Sequence, residues 1–217
     1  MSQSPFFGAV PRENIRTVVL LAIVYSLVFD VFYGGASLLA RYVPWRVHVN
    51  FAFEARIPFV PEAAFIYLSV LPMIAMAPFV LRDLQSYGAM VWALILETLV
   101  GFVGFMLLPV EPSALDQTLS APESPAYTFA NWLNLEGNYL PSLHVAFAVT
   151  AMLAYWNRAR GFGKSVLFVW TSAIVGSTLL IHQHYVLDVL TGALLAWVCL
   201  RYVKVRAQRR AEIVAAA

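Results

Sequence analysis

The sequence predicts an all-α fold: a polytopic membrane helical bundle with six transmembrane helices and both termini cytoplasmic. Three observations carry this expectation. Of 217 residues, 61% are hydrophobic and only 12% are charged, about half the charged share of a soluble domain. Six apolar stretches approach the ~20 residues needed to cross a bilayer. The basic residues collect at alternate ends of those stretches, as cytoplasmic loops do.

The first stretch, 17–40, follows Arg12 and Arg16. It is too long and too weakly terminated for a cleaved signal peptide and is expected to stay as an anchor. The others are 62–81, 88–109, 141–157, 164–182 and 185–203. With cytoplasmic termini, the inner segments hold Arg12, Arg16, Arg82, Arg158, Arg160, Lys164, Arg201, Lys204, Arg206, Arg209 and Arg210; the outer ones hold only Arg41, Arg46 and Arg56. A single domain over 1–217 suits this length, with its motif-bearing core at about 54–200. The one cysteine, Cys199, lies in the last span, so an intrachain disulfide is impossible.

Two outer connections are irregular. Residues 110–139 contain Pro112, Pro122, Pro125, several serines, four acidic residues and no lysine or arginine. They read as a loop with a short interfacial helix around Tyr127, Phe129 and Trp132. The stretch Arg41 to Pro61 is the second. Trp45 and Trp132 read as interfacial anchors, and Ser172/Gly176 and Gly192/Ala196 as small-residue pairs suited to close helix packing.

Ionisable groups inside a bilayer cost ~2.5–3.5 kcal/mol each on insertion scales, so each one asks for a role. Asn138-Tyr139-Leu140-Pro141-Ser142-Leu143-His144 and His184-Tyr185-Val186-Leu187-Asp188 both stand before long apolar runs. In the charge-derived topology His144, His184 and Asp188 enter from the same, outer side. His184 and Asp188 are four apart, so they share a helical face. The carboxylate can accept from one imidazole nitrogen and leave the other as a nucleophile. Pro141 suits a first helical turn, whose N–H groups favour an anion such as phosphate. Ser142 reads as a further donor or as a helix-start residue, and Asn138 as a cap or a substrate contact. His144 is placed to protonate a leaving oxygen, while His182 reads as a solvated boundary residue. The three central side chains suit phosphoryl transfer.

Two rival readings follow from the same residues. Asp30 and Glu97 lie near mid-depth in spans one and three with no basic partner at that level; they suggest a proton-coupled small-molecule transporter. His144 and His184 could instead ligate a haem.

Leu140-Pro141-Ser142-Leu143-His144-Val145-Ala146 and His184-Tyr185-Val186-Leu187-Asp188-Val189 resemble the second and third signature motifs of the type-2 phosphatidic acid phosphatase superfamily. The His-Tyr-x-x-Asp-Val form is closer to its inositol phosphorylceramide synthase and sphingomyelin synthase branch. Ile57-Pro58-Phe59-Val60-Pro61 through Ile66-Tyr67-Leu68-Ser69 looks like bacterial relatives of that branch. The resemblance implies a six-helix fold, a phosphohistidine on His184, orientation by Asp188, and His144 as general acid and then base. It implies neither a metal nor another cofactor. A lipid phosphate would be the substrate, a lipid or head-group alcohol a possible acceptor, and nucleic acid no partner. The membrane would be a bacterial inner membrane with the site facing the periplasm.

The chain also departs from the superfamily pattern. Where phosphatases carry Ser-Arg ahead of the nucleophile, it has Ser177-Thr178. Where they carry Lys-x6-Arg-Pro, it has Leu108-Pro109-Val110-Glu111-Pro112. The lipid synthase branch also lacks that arginine, and a phosphodiester needs fewer cations than a phosphomonoester. Arg56 is the expected phosphate contact.

Overall fold

The computed structural model describes residues 5–111, 124–135 and 137–216, and among them seven helical segments of nine residues or more follow one another along the chain. They are α1 (Arg12–Ala40), α2 (Pro61–Ala75), α3 (Leu84–Leu107), α4 (Pro125–Leu133), α5 (Leu143–Tyr155), α6 (Phe162–Leu180) and α7 (Val186–Ala216). Among the described residues there is no strand, only an isolated bridge between Val47 and Val110. Residues 112–123 and 136, with Pro112 and Pro122, lie outside the described residues. The helix expected around Tyr127, Phe129 and Trp132 forms as α4.

Helices α1, α3, α6 and α7 are long and apolar enough to cross a membrane. The expected spans 62–81 and 141–157 instead form shorter apolar helices. In α2 the ladder breaks at Ser69, whose hydroxyl donates to Ile66 O at 2.5 Å, and again at Met76 before the short turn Ala77–Val80. Pro72 and Pro78 lack the N–H groups that would continue it. Helix α5 starts late because Ser142 adopts an extended conformation and caps it, its hydroxyl accepting from Val145 N at 3.3 Å. Pro141 therefore precedes the cap rather than filling the first turn.

All the same, α2 and α5 run between the same two ends as the longer helices. At one end Ser142 N donates to Asp188 O (3.1 Å), Val60 N to Leu180 O (2.8 Å) and Asn138 Nδ2 to Tyr33 O (2.8 Å). At the other, Gly8 N donates to Phe79 O (3.0 Å), Tyr155 hydroxyl to Met73 O (2.7 Å), and Arg158 pairs with Asp83 (2.5 Å). Thirteen residues of α5 rise ~20 Å at 1.5 Å each, enough to connect the two layers.

Helix α5 is the centre. It packs on α2, α3, α6 and α7, and buries Leu143, Val145, Ala146, Phe147, Ala148, Thr150, Ala151 and Tyr155. Its start lies hard against α7: a Cβ on Gly192 would sit 2.4 Å from Ser142 O. Only a glycine tolerates that approach. Gly176 has open space around it, so the Ser172/Gly176 pair makes no such crossing in this chain. Helix α1 packs on α3 at the rim, with no buried residue from Arg12 to Gly34.

The mid-depth carboxylates fare differently. Glu97 is buried in the core, accepting from the Thr150 hydroxyl at 2.5 Å. Asp30 opens a π-helical turn and is exposed on the rim.

Candidate active site

The candidate residues gather at the end where α3, α5, α6 and α7 meet. His144 stands in the first turn of α5, as expected. His184 does not begin a helix: it lies in the turn 181–185, two residues before α7. Asp188, in the first turn of α7, has no exposed surface and reaches back. Its Oδ2 accepts from Tyr185 N at 2.9 Å and lies 3.4 Å from His184 Nδ1. The second contact is short enough for charge and looser than an aligned hydrogen bond. It still orients the ring, with Nδ1 towards the carboxylate and Nε2 away from it.

His144 is held on two sides. Its Nε2 is 2.7 Å from Tyr67 O, and its ring stacks on the Tyr67 ring at 3.6 Å between centroids. A carbonyl only accepts, so Nε2 carries the hydrogen and Nδ1 is left to exchange a proton.

The two imidazoles line one cavity of about 560 Å³. Its walls are otherwise mostly apolar, with Val18, Ala22, Leu71, Ile74 and Leu94 typical; Ser26, four tyrosines and, beside His184, Asn134 and Asn138 are the polar exceptions, and it runs between α1 and α2. On α1 the lining residues extend from Val18 to Tyr33, roughly 22 Å of helix at 1.5 Å per residue. A second cavity of about 230 Å³ is lined by Asn131, Asn134, Asn138, Gln183, Tyr33 and His184, among others. His184 is on the wall of both.

The remaining expected site residues are placed as follows. Ser142 has no exposed surface and its hydroxyl caps α5. Asn138 does not cap that helix; it lines both cavities and ties 138 to α1 through Tyr33 O. Arg56 is exposed at the end of the turn Ala52–Arg56 and lines neither cavity. Arg46 folds onto the carbonyls of Ala40, Val43 and Trp45, and His48 pairs with Glu111 at 2.9 Å. Neither cavity wall holds a lysine or an arginine. Thr178, at the superfamily's arginine position, is buried with its hydroxyl turned to Val175 O at 2.7 Å. His182 is half-buried rather than solvated, bonded to Ile57 O at 3.1 Å and set against the Phe59 ring.

Several contributors escape a reading from the sequence. Glu54 is buried, and its carboxylate accepts from Val186 N at 2.5 Å and from Phe51 N. It thus caps the positive end of α7 from 132 residues away. Tyr67 holds His144. Its hydroxyl donates to Asn134 Oδ1 at 2.6 Å, Asn134 Nδ2 donates to Gln183 Oε1 at 2.9 Å, and Gln183 Nε2 donates to Asn131 Oδ1. A signal for this group exists: Asn131, Asn134 and Asn138 recur at intervals of three and four, next to an apolar segment.

Comparison with known proteins finds relatives of part of the chain and a family for most of it. Phosphatidylglycerophosphatase B of Escherichia coli (strain K12) is 31% identical over 98 residues, 43% of this chain and 39% of that relative. The same protein from Escherichia coli O157:H7 and from Shigella flexneri matches to the same extent. The match spans about two fifths of the length of these curated relatives. No solved structure matches the chain. The family model described as the PAP2 superfamily matches residues 40–202, a region that holds His144, His184, Asp188 and the four amides of the smaller cavity, and this chain belongs to the PAP2 superfamily.

Proposed function

We propose that this protein is an integral-membrane phosphoryl-transfer enzyme that acts on a lipid phosphate ester through His184. One observation carries the reading: His184 stands where an apolar cavity meets a polar one, with the Asp188 carboxylate 3.4 Å from Nδ1. An amphiphile spanning both would present its phosphorus there.

The chemistry runs in two balanced steps. With His144 entering as the imidazolium, His184 Nε2 attacks phosphorus; a P–N bond forms, a P–O bond breaks, and the departing oxygen takes the proton from His144 Nδ1, leaving that ring neutral. In the second step water or an alcohol gives its proton to His144, forms a P–O bond and breaks the P–N bond. Asp188 stabilises the charge that develops on His184 when it becomes the phosphorylated imidazolium.

The similarity to a phosphatidylglycerophosphatase favours water as acceptor. The absence of basic residues from both cavity walls favours the other outcome. A phosphodiester brings less charge than a phosphomonoester and needs less cationic help, which suits head-group transfer as in the inositol phosphorylceramide and sphingomyelin synthase branch. Ser142 stays in the reading as a contact near the phosphoryl group, Asn138 as a contact to the substrate, and Arg56 as a cation reaching the phosphate from the adjacent turn.

The bundle reads as six crossings with both termini cytoplasmic and the site in the outer leaflet of a bacterial inner membrane. Two features support this: α2 and α5 join the same two ends as the long helices, and Arg82, Arg158, Arg160 and Lys164 lie away from the site.

The test is product analysis by mass spectrometry after incubation with defined phospholipids, with and without diacylglycerol, ceramide or another alcohol. His184→Ala is expected to lower turnover by more than about a thousandfold, since no covalent intermediate can form. Normal rates in that variant would overturn the assignment.

A further inference from the structure

The smaller cavity beside His184 is polar yet carries no ionic side chain besides that imidazole. Four amides and two tyrosines make most of its wall. Their mutual bonds use only part of their capacity. Asn134 accepts from Tyr67 and donates to Gln183, and Gln183 donates to Asn131. Each amide nitrogen has two hydrogens and each amide oxygen two lone pairs, so donors and acceptors remain on the same wall. Asn138 adds an independent sign. It is 5% exposed, lines the cavity, spends its Nδ2 on Tyr33 O, and keeps a buried Oδ1 with no hydrogen-bond partner. Buried acceptors of this kind are paired in native proteins or await a ligand.

That pattern selects a chemistry. A phosphate or carboxylate only accepts and would leave Asn138 Oδ1 unsatisfied. A quaternary ammonium offers no N–H or O–H donor and would find no anion. A hydroxyl both donates and accepts, so several hydroxyls on one small molecule match this wall. About 230 Å³ holds roughly seven waters at ~30 Å³ each, the room a three- to six-carbon polyol needs.

We propose that this cavity binds an uncharged polyhydroxy alcohol, as the head group of the lipid phosphodiester or as the alcohol that attacks the phosphorylated His184. The inference rests on His184-centred phosphoryl transfer. In the attacking case the polyol O–H gives its proton to His144 as its oxygen bonds phosphorus and the P–N bond breaks. In the departing case the same bonds change in reverse.

The test uses the full-length protein in vesicles containing phosphatidylglycerol, phosphatidylinositol, phosphatidylcholine or phosphatidic acid with identical acyl chains. The two polyol-headed lipids are expected to exceed phosphatidylcholine at least tenfold in kcat/KM. Added deuterated glycerol or myo-inositol separates the two sources: label in a phosphorylated product marks an acceptor, release of unlabelled polyol marks a leaving group. Asn138→Leu should cut turnover of polyol-headed lipids at least tenfold more than that of phosphatidic acid. Asn131→Leu, at an exposed position, should act in the same direction by about threefold and is not expected to disturb folding. A preference for phosphatidylcholine or phosphatidic acid, or equal losses on all lipids, would overturn the proposal while leaving the enzyme reading intact. If no lipid is turned over, the enzyme reading fails instead. Saturable binding of tritiated myo-inositol or glycerol to the same protein, lost in Asn138→Leu, would then still support the cavity's ligand class, and no binding would sink it.

Discussion

On one side of His184 the walls are Val18, Ala22, Leu71, Ile74 and Leu94 around about 560 Å³; on the other they are Asn131, Asn134, Asn138 and Gln183 around about 230 Å³. The apolar side gives no direction to what it holds, because burial free energy depends on area and not on orientation. The polar side does give direction, because each amide must meet a partner of opposite sense. Where the two meet, an amphiphile can sit in one depth register only. In the proposed reaction the phosphorus would be positioned by this change in the solvent properties of the wall, since no lysine or arginine lines either cavity. A group on the boundary must itself be held from outside both cavities. For His184 that hold is Asp188.

Breaking that hold should give the largest effect. Asp188→Asn keeps the volume and can keep the bond from Tyr185 N, but it presents no charge to His184 Nδ1. The ring is then free to adopt the tautomer with its hydrogen on Nε2, the nitrogen proposed to attack. By analogy with an orienting carboxylate replaced by amide in a catalytic triad, where the loss is ~10⁴, turnover should fall by about a thousandfold or more. Thermal unfolding in detergent should shift by only a few degrees. A rate within threefold of the parent would show that the boundary histidine needs no orienting group.

The boundary also depends on how closely α5 approaches α7, since one carries His144 and the other follows His184. Gly192→Ala would put its Cβ 2.4 Å from Ser142 O, a backbone atom that cannot swing away. Forcing the helices apart should cost about 1–3 kcal/mol and lower kcat as the imidazoles separate. Gly176→Ala is the matched control with open space around it; it should be neutral or gain up to ~1 kcal/mol in helix propensity. Melting temperatures of the two variants, measured together, check the contrast, and equal shifts would show that the crossing is looser than 2.4 Å implies.

The same contrast explains what the sequence makes legible. Four apolar runs are long enough to announce themselves, since 19 or more residues without interruption leave few alternatives. The 62–81 and 141–157 runs look similar, but Pro72, Pro78 and the Ser142 cap act locally and shorten the helices. His144, His184 and Asp188 can be read because ionisable side chains are costly in apolar surroundings. The amide wall is hidden by the mildness of Asn and Gln, which are ordinary in any loop until they face a shared cavity. Glu54 is hidden more thoroughly. It bonds backbone N–H groups, which every residue has, so nothing in the composition of Val186 or Phe51 points to it. Arg56 is the opposite case: its charge is plain in the sequence and suggests a phosphate contact, and its side chain is exposed at the end of its turn, lining neither cavity.

The apolar side can be sharpened by filling it. Ala22 on α1 lines the cleft, and Ala22→Phe would place a ring where a lipid tail is expected. The loss in kcat/KM should be about tenfold greater for a long-chain lipid than for a short-chain analogue with the same head group; one tenfold step corresponds to ~1.4 kcal/mol of transition-state binding. Equal losses on both would mean that the cleft between α1 and α2 does not carry the chain.

The smallest effect belongs to the end farthest from the site, where the molecule does use full charges. Asp83 caps α3, accepting from Ser86 N at 2.7 Å, and pairs with Arg158 at 2.5 Å. Burial by itself would raise its carboxyl, but the Ser86 hydrogen bonds and the Arg158 guanidinium outweigh it and hold the group below its usual 3.8. A carboxyl lowered by folding adds stability above its ordinary value and loses it as pH falls through the folded one. The Arg158 and Asp83 side chains are 34% and 45% exposed, so solvent screens the pair and the contribution should be under about 1 kcal/mol. Asp83→Asn should therefore lower the melting temperature slightly at neutral pH and flatten the decline on acidification below about pH 4. Parallel melting curves for parent and variant from pH 7 to 3 would show that this ion pair adds nothing.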